Sequence, residues 1–194
     1  MRLLLLAACG LTLALGTVSE AAPRDGPQAA TVAPPPATAL RGLAGRWSGA
    51  LGYRDYQSDR LFEIPVTTSI VQIADGVTQI RTSLFDDGPD KPVWITTTSL
   101  LDEAAGTVAS ASYRAGRSVE LTTETIRVAD WTDPTHWTLI YESVARDDDQ
   151  PAEIRITETR DGDSLMSVKT VRPVGADDSA WRFRNQTRLT RLGD

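Results

Sequence analysis

The sequence predicts an all-β protein, a single up-and-down antiparallel β-barrel of about ten strands, and three observations predict it. From Leu43 onward apolar and polar residues alternate with period two. The residues filling these runs are the Thr, Val, Ile, Trp and Tyr that suit a pleated surface. Turn signals such as Ala74-Asp75-Gly76, Asp86-Asp87-Gly88-Pro89, Ala115-Gly116 and Asp161-Gly162-Asp163 separate them at intervals of about 8–14 residues. No stretch of ten or more residues carries a helical stripe.

In chain order, Met1-Arg2, the apolar run Leu3 to Val18 and the small residues around Ala21 predict a secretory signal peptide over 1–21, and so an exported (periplasmic or secreted) protein. The run falls short of the about 20 apolar residues that span a bilayer, so no transmembrane segment is read. Leu6-Ala7-Ala8-Cys9 fits a bacterial lipobox and gives a lipid anchor at Cys9 as the alternative. Residues 22–41, rich in Ala and Pro and holding Pro34-Pro35-Pro36, read as an extended linker before a barrel domain over 42–194.

Ten strands are expected, at 45–54, 61–73, 77–85, 92–101, 107–113, 118–128, 136–146, 152–160, 164–172 and 180–191. Short connections make consecutive strands antiparallel neighbours, and closing the sheet removes both exposed edges. A two-sheet sandwich is the alternative. Alternation places Trp47, Leu51 and Tyr53 on the inner face, with Phe62, Ile64 and Val66, then Trp137, Leu139 and Tyr141, then Ile154 and Ile156, and finally Trp181 and Phe183. In the sixth strand the apolar phase switches from Val119/Leu121 to Ile126/Val128, which predicts a bulge near Thr122–Glu124.

Composition excludes several chemistries. A net charge of -6 opposes nucleic-acid binding, which needs a surplus of Lys and Arg. One Cys and one His are too few for a Cys/His zinc cluster or thiol–imidazole catalysis. There is no nucleophile elbow, phosphate-binding loop, dinucleotide fingerprint or H-E-x-x-H. Asp130, Asp133 and His136 could offer a metal two carboxylates and an imidazole, but Asp before Pro134 is ordinary turn chemistry; neither a metal nor a cofactor is assigned. Asp147-Asp148-Asp149 reads as a solvated hairpin tip.

Continuing the inner faces places Glu158 and Arg160 after Ile156, Arg172 after Met166, Val168 and Thr170, and Asn185 after Phe183. A buried charge must be paired or neutralised. One reading is a guanidinium fork that fixes a ligand carboxylate whose tail lies among Trp47, Trp137 and Phe183. The other is that Glu158 simply pairs with Arg160 or Arg172. The candidate ligand-binding set is Trp47, Tyr53, Trp137, Tyr141, Glu158, Arg160, Arg172 and Phe183, and no catalytic residue is assigned.

Gly45-Arg46-Trp47, opening the first strand, resembles the G-x-W of the calycin group: lipocalins, fatty-acid-binding proteins and nitrobindin-like ten-stranded barrels. The resemblance implies that the Trp closes one barrel end under an Arg of the last strand, Arg188 or Arg191, and that the interior holds an apolar small molecule. The Arg and Tyr candidates are similar to the head-group site of fatty-acid-binding proteins. Nitrobindin-like barrels hold haem through a His on the last strand; Trp181 to Arg191 has none, so haem is not implied by that route. The connection from Arg54 to Arg60 is too short for the two helices of fatty-acid-binding proteins. The expected function is an exported module that holds an apolar or amphipathic ligand. The alternatives are a barrel enzyme with an interior carboxylate such as Glu158 as general base, and an envelope protein-interaction domain with a packed interior.

Overall fold

In a computed structural model that describes residues 34–55 and 60–193, ten antiparallel strands close into a barrel in the order β1-β10-β9-β8-β7-β6-β5-β4-β3-β2. A short helix α1 (Pro36–Arg41) precedes β1 (Gly45–Asp55), β2 (Arg60–Gln72), β3 (Thr78–Asp86), β4 (Pro92–Asp102) and β5 (Thr107–Arg114). Then follow β6 (Glu120–Asp133), β7 (His136–Asp147), β8 (Gln150–Asp161), β9 (Ser164–Pro173), a 3₁₀ turn (Asp178–Ala180) and β10 (Arg182–Arg191). Strand ends match the sequence expectation within two residues, except that β6 runs on to Asp133. The signal peptide, the Cys9 anchor and the first part of the linker lie outside the described residues. The last six residues of the expected linker form α1, with Ala37 and Ala39 buried.

Closure is made by β1, which pairs with β10 from Trp47↔Arg191 to Tyr53↔Asn185 and with β2 along its other edge. No edge is left over, which excludes the sandwich. The two backbones approach closely at Gly49: a Cβ there would lie 1.9 Å from the Arg188 carbonyl oxygen. Only a residue without a side chain fits.

Residues paired directly across an antiparallel ladder share a face, so the registers fix what points inward. β2 is the plainest case, with Ile64, Val66, Thr68 and Ile70 buried and the residues between them exposed. The expected inner faces of β1, β7 and β8 are correct. Three other expectations are corrected. The β5–β6 register is unbroken from Thr107↔Thr125 to Ser112↔Glu120, so there is no bulge at Thr122–Glu124; the shifts fall between Val128 and Asp130 and between Trp131 and Asp133. Glu120, Thr122 and Glu124 line the interior, while Val119 and Leu121 are exposed. On β9 the inner face is Leu165, Ser167, Lys169 and Val171, so Arg172 points outward. On β10 a register shift between Phe183 and Asn185 sets Phe183 opposite Thr170 on the outer face and leaves Asn185 opposite Lys169 on the inner one.

One barrel end is sealed. Leu43 and Trp47 are fully buried, Trp137 nearly so, and Ala37 and Ala39 of α1 pack into the same cluster. The Trp47 Nε1–H donates to the Leu43 carbonyl at 2.9 Å, and the Trp137 Nε1–H to the Pro134 carbonyl at 3.1 Å. Burying an indole this size contributes about 4–6 kcal/mol as an upper estimate. The guanidinium carbons of Arg191 and Arg160 lie 5.4 and 5.7 Å from the centre of the Trp47 ring. Arg191 is therefore the last-strand cation over the G-x-W indole, and Arg160 is a second one from β8. Arg188 points outward to Glu63. Arg160 Nη1 donates to the Gly42 carbonyl at 2.5 Å and Arg191 Nη2 to that of Ala44 at 2.7 Å, tying the segment between α1 and β1 to the wall. Gly45 takes φ +135 there, and a Cβ would crowd the Arg191 guanidinium at 2.9 Å.

Replacing Gly49 with Ala forces β1 away from β10 and is expected to cost about 3 kcal/mol, the upper range for overpacking. Gly193→Ala, where an added Cβ meets nothing within 4 Å, serves as the control and changes stability by no more than about 0.5 kcal/mol. Urea denaturation of both variants checks this; equal midpoints would show that the close approach is not a constraint.

Candidate binding chamber

The interior holds two adjoining chambers. The larger, about 390 Å³, extends from Leu40, Val77, Leu101 and Val108 at the sealed end toward Ser143, Ala145 and Glu120. The smaller, about 200 Å³, is lined by Val66, Thr68, Phe85, Leu165 and Leu189 among others. Arg81, Thr97, Glu158 and Ser167 line both. The partition is an ion pair spanning the barrel: from β3, Arg81 Nη1 and Nη2 donate to Glu158 Oε2 of β8 at 3.2 and 3.3 Å. The Glu158 side chain is 4% exposed, and its other oxygen, Oε1, is buried without a hydrogen-bond partner.

Around this pair the lining is rich in hydroxyls that satisfy one another across strands. Thr68 and Ser83 are 2.8 Å apart, Thr97 and Ser112 2.7 Å, and Ser99 and Ser110 2.8 Å. Paired hydroxyls cost little to bury. The remaining polar groups behave differently. Among the described residues, the side chains of Glu124, Tyr141 and Lys169 make no hydrogen bond or ion pair, and all three line the larger chamber. Glu124, Tyr141 and Glu158 form a stripe down the wall, since Tyr141 sits opposite Ile126 and Ile156, one inward step from Glu124 on one side and from Glu158 on the other.

Burial holds the Glu124 carboxyl above its ordinary range; Lys169 opposes this shift and the charge of Glu158 adds to it. Burial and the neighbouring Glu158 charge push the Tyr141 hydroxyl well above its ordinary value, so it remains neutral. For Arg81 burial works against the charge, but Glu158 and Tyr141 together more than offset it and the guanidinium is held above its usual value.

The eight sequence candidates therefore separate into four places. Tyr141 and Glu158 line the larger chamber. Trp47, Trp137 and Arg160 belong to the sealed end. Tyr53 lies toward the opposite end, its ring stacked on Phe62 at 6.0 Å. Arg172 and Phe183 are outside. Arg172 pairs with Glu153 and Asp178, both at 2.6 Å, and with Arg155 covers Trp181 at 4.7 and 4.3 Å. The expected pairing of Glu158 with Arg160 or Arg172 is replaced by Arg81. Sequence reasoning missed Arg81, Glu124 and Lys169. The hairpin register that sets Arg81 opposite Ile70 was the signal for the first, because Ile70 is inward on the clearest strand of the chain.

The Asp130, Asp133 and His136 loop is a turn. Asp133 Oδ1 accepts from the Thr135 N–H and hydroxyl, both at 2.7 Å, and Oδ2 faces His136 Nδ1 at 2.9 Å. The Thr135 hydroxyl and then His136 hold the Asp133 carboxyl down at about 2. Among the described residues no group of three or more His, Cys, Asp or Glu side chains is placed to hold a metal, and no helix is long and apolar enough to cross a membrane.

Compared with known proteins, the chain matches no family model and no curated protein. Among solved structures it is similar to the crystal structure of Rv2717c from M. tuberculosis, with 20% identity and a TM-score of 0.55, over 81% of this chain and 98% of that one. At that identity the likeness is one of fold: a ten-stranded antiparallel barrel.

Two outcomes follow from the charges. Arg81→Met leaves Glu158 buried and uncompensated, and is expected to cost about 3–5 kcal/mol in urea denaturation; Arg81→Met with Glu158→Met recovers most of it. A double variant no more stable than the single would show that the pair does not carry its own desolvation cost. Asp133, with its pKa lowered from 3.8 to about 2, contributes stability that is fully present above pH 3.8 and lost as pH falls through 2. Thermal melts between pH 4 and pH 2 should therefore decline less steeply in Asp133→Asn than in the parent, and parallel declines would refute the turn's role.

Proposed function

We propose that the protein is a small-molecule-binding module of the calycin kind that holds an amphipathic ligand inside its barrel. The observation that carries this is the larger chamber, whose volume of about 390 Å³ suits a small ligand. Its lining combines apolar side chains at the sealed end with unpaired polar groups at Glu124, Tyr141 and Lys169. That favours an amphipathic molecule over the purely apolar one, because a fully apolar guest would cover these groups without satisfying them. A solidly packed interior, the premise of the protein-interaction alternative, does not fit a chamber of this size. Export rests on the layout of residues 1–21, and calycin kinship on Gly45-Arg46-Trp47 with Arg191 over the indole.

Titration with N-phenyl-1-naphthylamine, a neutral fluorescent amphiphile, tests the reading. Saturable enhancement is expected in the parent, and its loss in Ser143→Trp, which fills the chamber from β7, with the β-sheet circular dichroism unchanged. No saturable enhancement in the parent, or enhancement that survives in a folded Ser143→Trp, would refute it.

A further inference from the structure

Resting on that reading, we propose that the larger chamber recognises its amphipathic guest through a protonated amine, received between the carboxylate of Glu124 and Glu158 Oε1. The sign of the charge follows from which interior groups are already committed. Of the two guanidinium groups that line the chamber, Arg81 has both terminal nitrogens engaged by Glu158 Oε2, and Arg146 donates to the Asp149 carbonyl. An anionic head group at Arg81 would have to displace an ion pair that spans the barrel, and at Lys169 it would compete with the nearby charge of Glu124. The opposite charge meets no such obstacle. Glu158 Oε1 is a buried carboxylate oxygen with its lone pairs open, and such an atom loses several hydrogen bonds to water without replacement. A donor arriving with the ligand restores them.

Glu124 supplies the second arm. It sits toward the mouth from Tyr141, as Glu158 sits toward the sealed end, so the stripe Glu124–Tyr141–Glu158 leads inward along one wall. The two carboxylates repel each other in a site removed from water, and a cation placed between them reverses that repulsion. Lys169, opposite Ile156 on the next strand, offsets part of the excess but makes no ion pair with either. Once Arg81 and Glu158 cancel, Glu120 and Glu124 balance Arg146 and Lys169 in formal charge, and the acceptors without a hydrogen-bond partner include Glu124 and Oε1. The Tyr141 hydroxyl, held neutral by burial, can accept a further ammonium hydrogen. The apolar remainder of the guest is met by Leu101 and Val108 at the sealed end of the chamber.

Isothermal titration with three probes of one shape, 4-phenylbutylamine, 4-phenylbutan-1-ol and 4-phenylbutyrate, tests the sign directly at neutral pH. The amine is expected to bind about tenfold more tightly than the alcohol, the difference between a charge-assisted and a neutral hydrogen bond, and the carboxylate more weakly than either. Glu124→Gln, which breaks no pair in the protein, should reduce the advantage of the amine over the alcohol to less than about twofold. Carboxylate binding as tight as that of the amine overturns the proposal, as does an amine advantage that survives in folded Glu124→Gln. In either case saturable binding of N-phenyl-1-naphthylamine leaves the broader reading standing. Loss of that dye binding in the parent removes both.

Discussion

Everything inside this protein depends on β1 meeting β10. A meander of ten strands left open would bury one face against nothing; closed, it encloses whatever its inward side chains do not fill. Closure in turn depends on a glycine at position 49, where the neighbouring strand's carbonyl occupies the space of a Cβ. The same strand carries the residue that seals one end, since Trp47 stands one inward step from Gly49 and fills the floor between α1 and the strand ends. A single strand therefore sets both the circumference and the depth of the interior. What remains between floor and mouth is the chamber.

The interior is polar along much of its length, and this reverses the usual meaning of alternation. In β2, β7 and β8 apolar residues point inward, among them Ile154 and Ile156 where β8 lines the chamber, and the sequence is read correctly. In the first half of β6, which also lines the chamber, Glu120, Thr122 and Glu124 point inward and Val119 and Leu121 outward. The apparent phase change in β6 is therefore a change in what the inner face contacts, and the backbone there continues without interruption. β9 failed for a related reason. Leu165, Val171 and Lys169 on one face are matched by Met166, Val168 and Thr170 on the other, and periodicity alone cannot choose between two half-apolar faces. At Phe183 the backbone itself intervenes, because a register shift turns an aromatic outward with no mark in the sequence.

The fold was thus legible and the site only in part. Strand count, order and nearly every strand end follow from turn chemistry, which is local. Glu158 and Tyr141 were legible because they continue strongly apolar inner faces. Arg81 was not, because its role is defined by a partner 77 residues away on the far wall. Arg160 illustrates the converse. It points inward as expected, yet its hydrogen bonds run to the carbonyls of Gly42, Pro134 and Gly162, and beside Arg191 its charge is spent on holding the seal over Trp47.

Three arginines therefore set how positive charge is distributed along the barrel axis. Arg160 and Arg191 place two cations at the floor, where burial and mutual repulsion lower the hold of Arg160 on its proton and backbone carbonyls compensate. Arg81 places a third at the midline, matched by Glu158. Above it, the inward groups of the wall are Glu124 and Lys169, with Glu120 and Arg146 also lining the chamber. Positive charge is thus committed early and deep, through contacts that hold the protein together. The polar capacity left for a guest is weighted toward acceptors, because a carboxylate offers more hydrogen-bonding sites than one guanidinium edge consumes. On the proposed reading, the barrel takes its stability from its arginines and its selectivity from the carboxylate oxygens that they leave over.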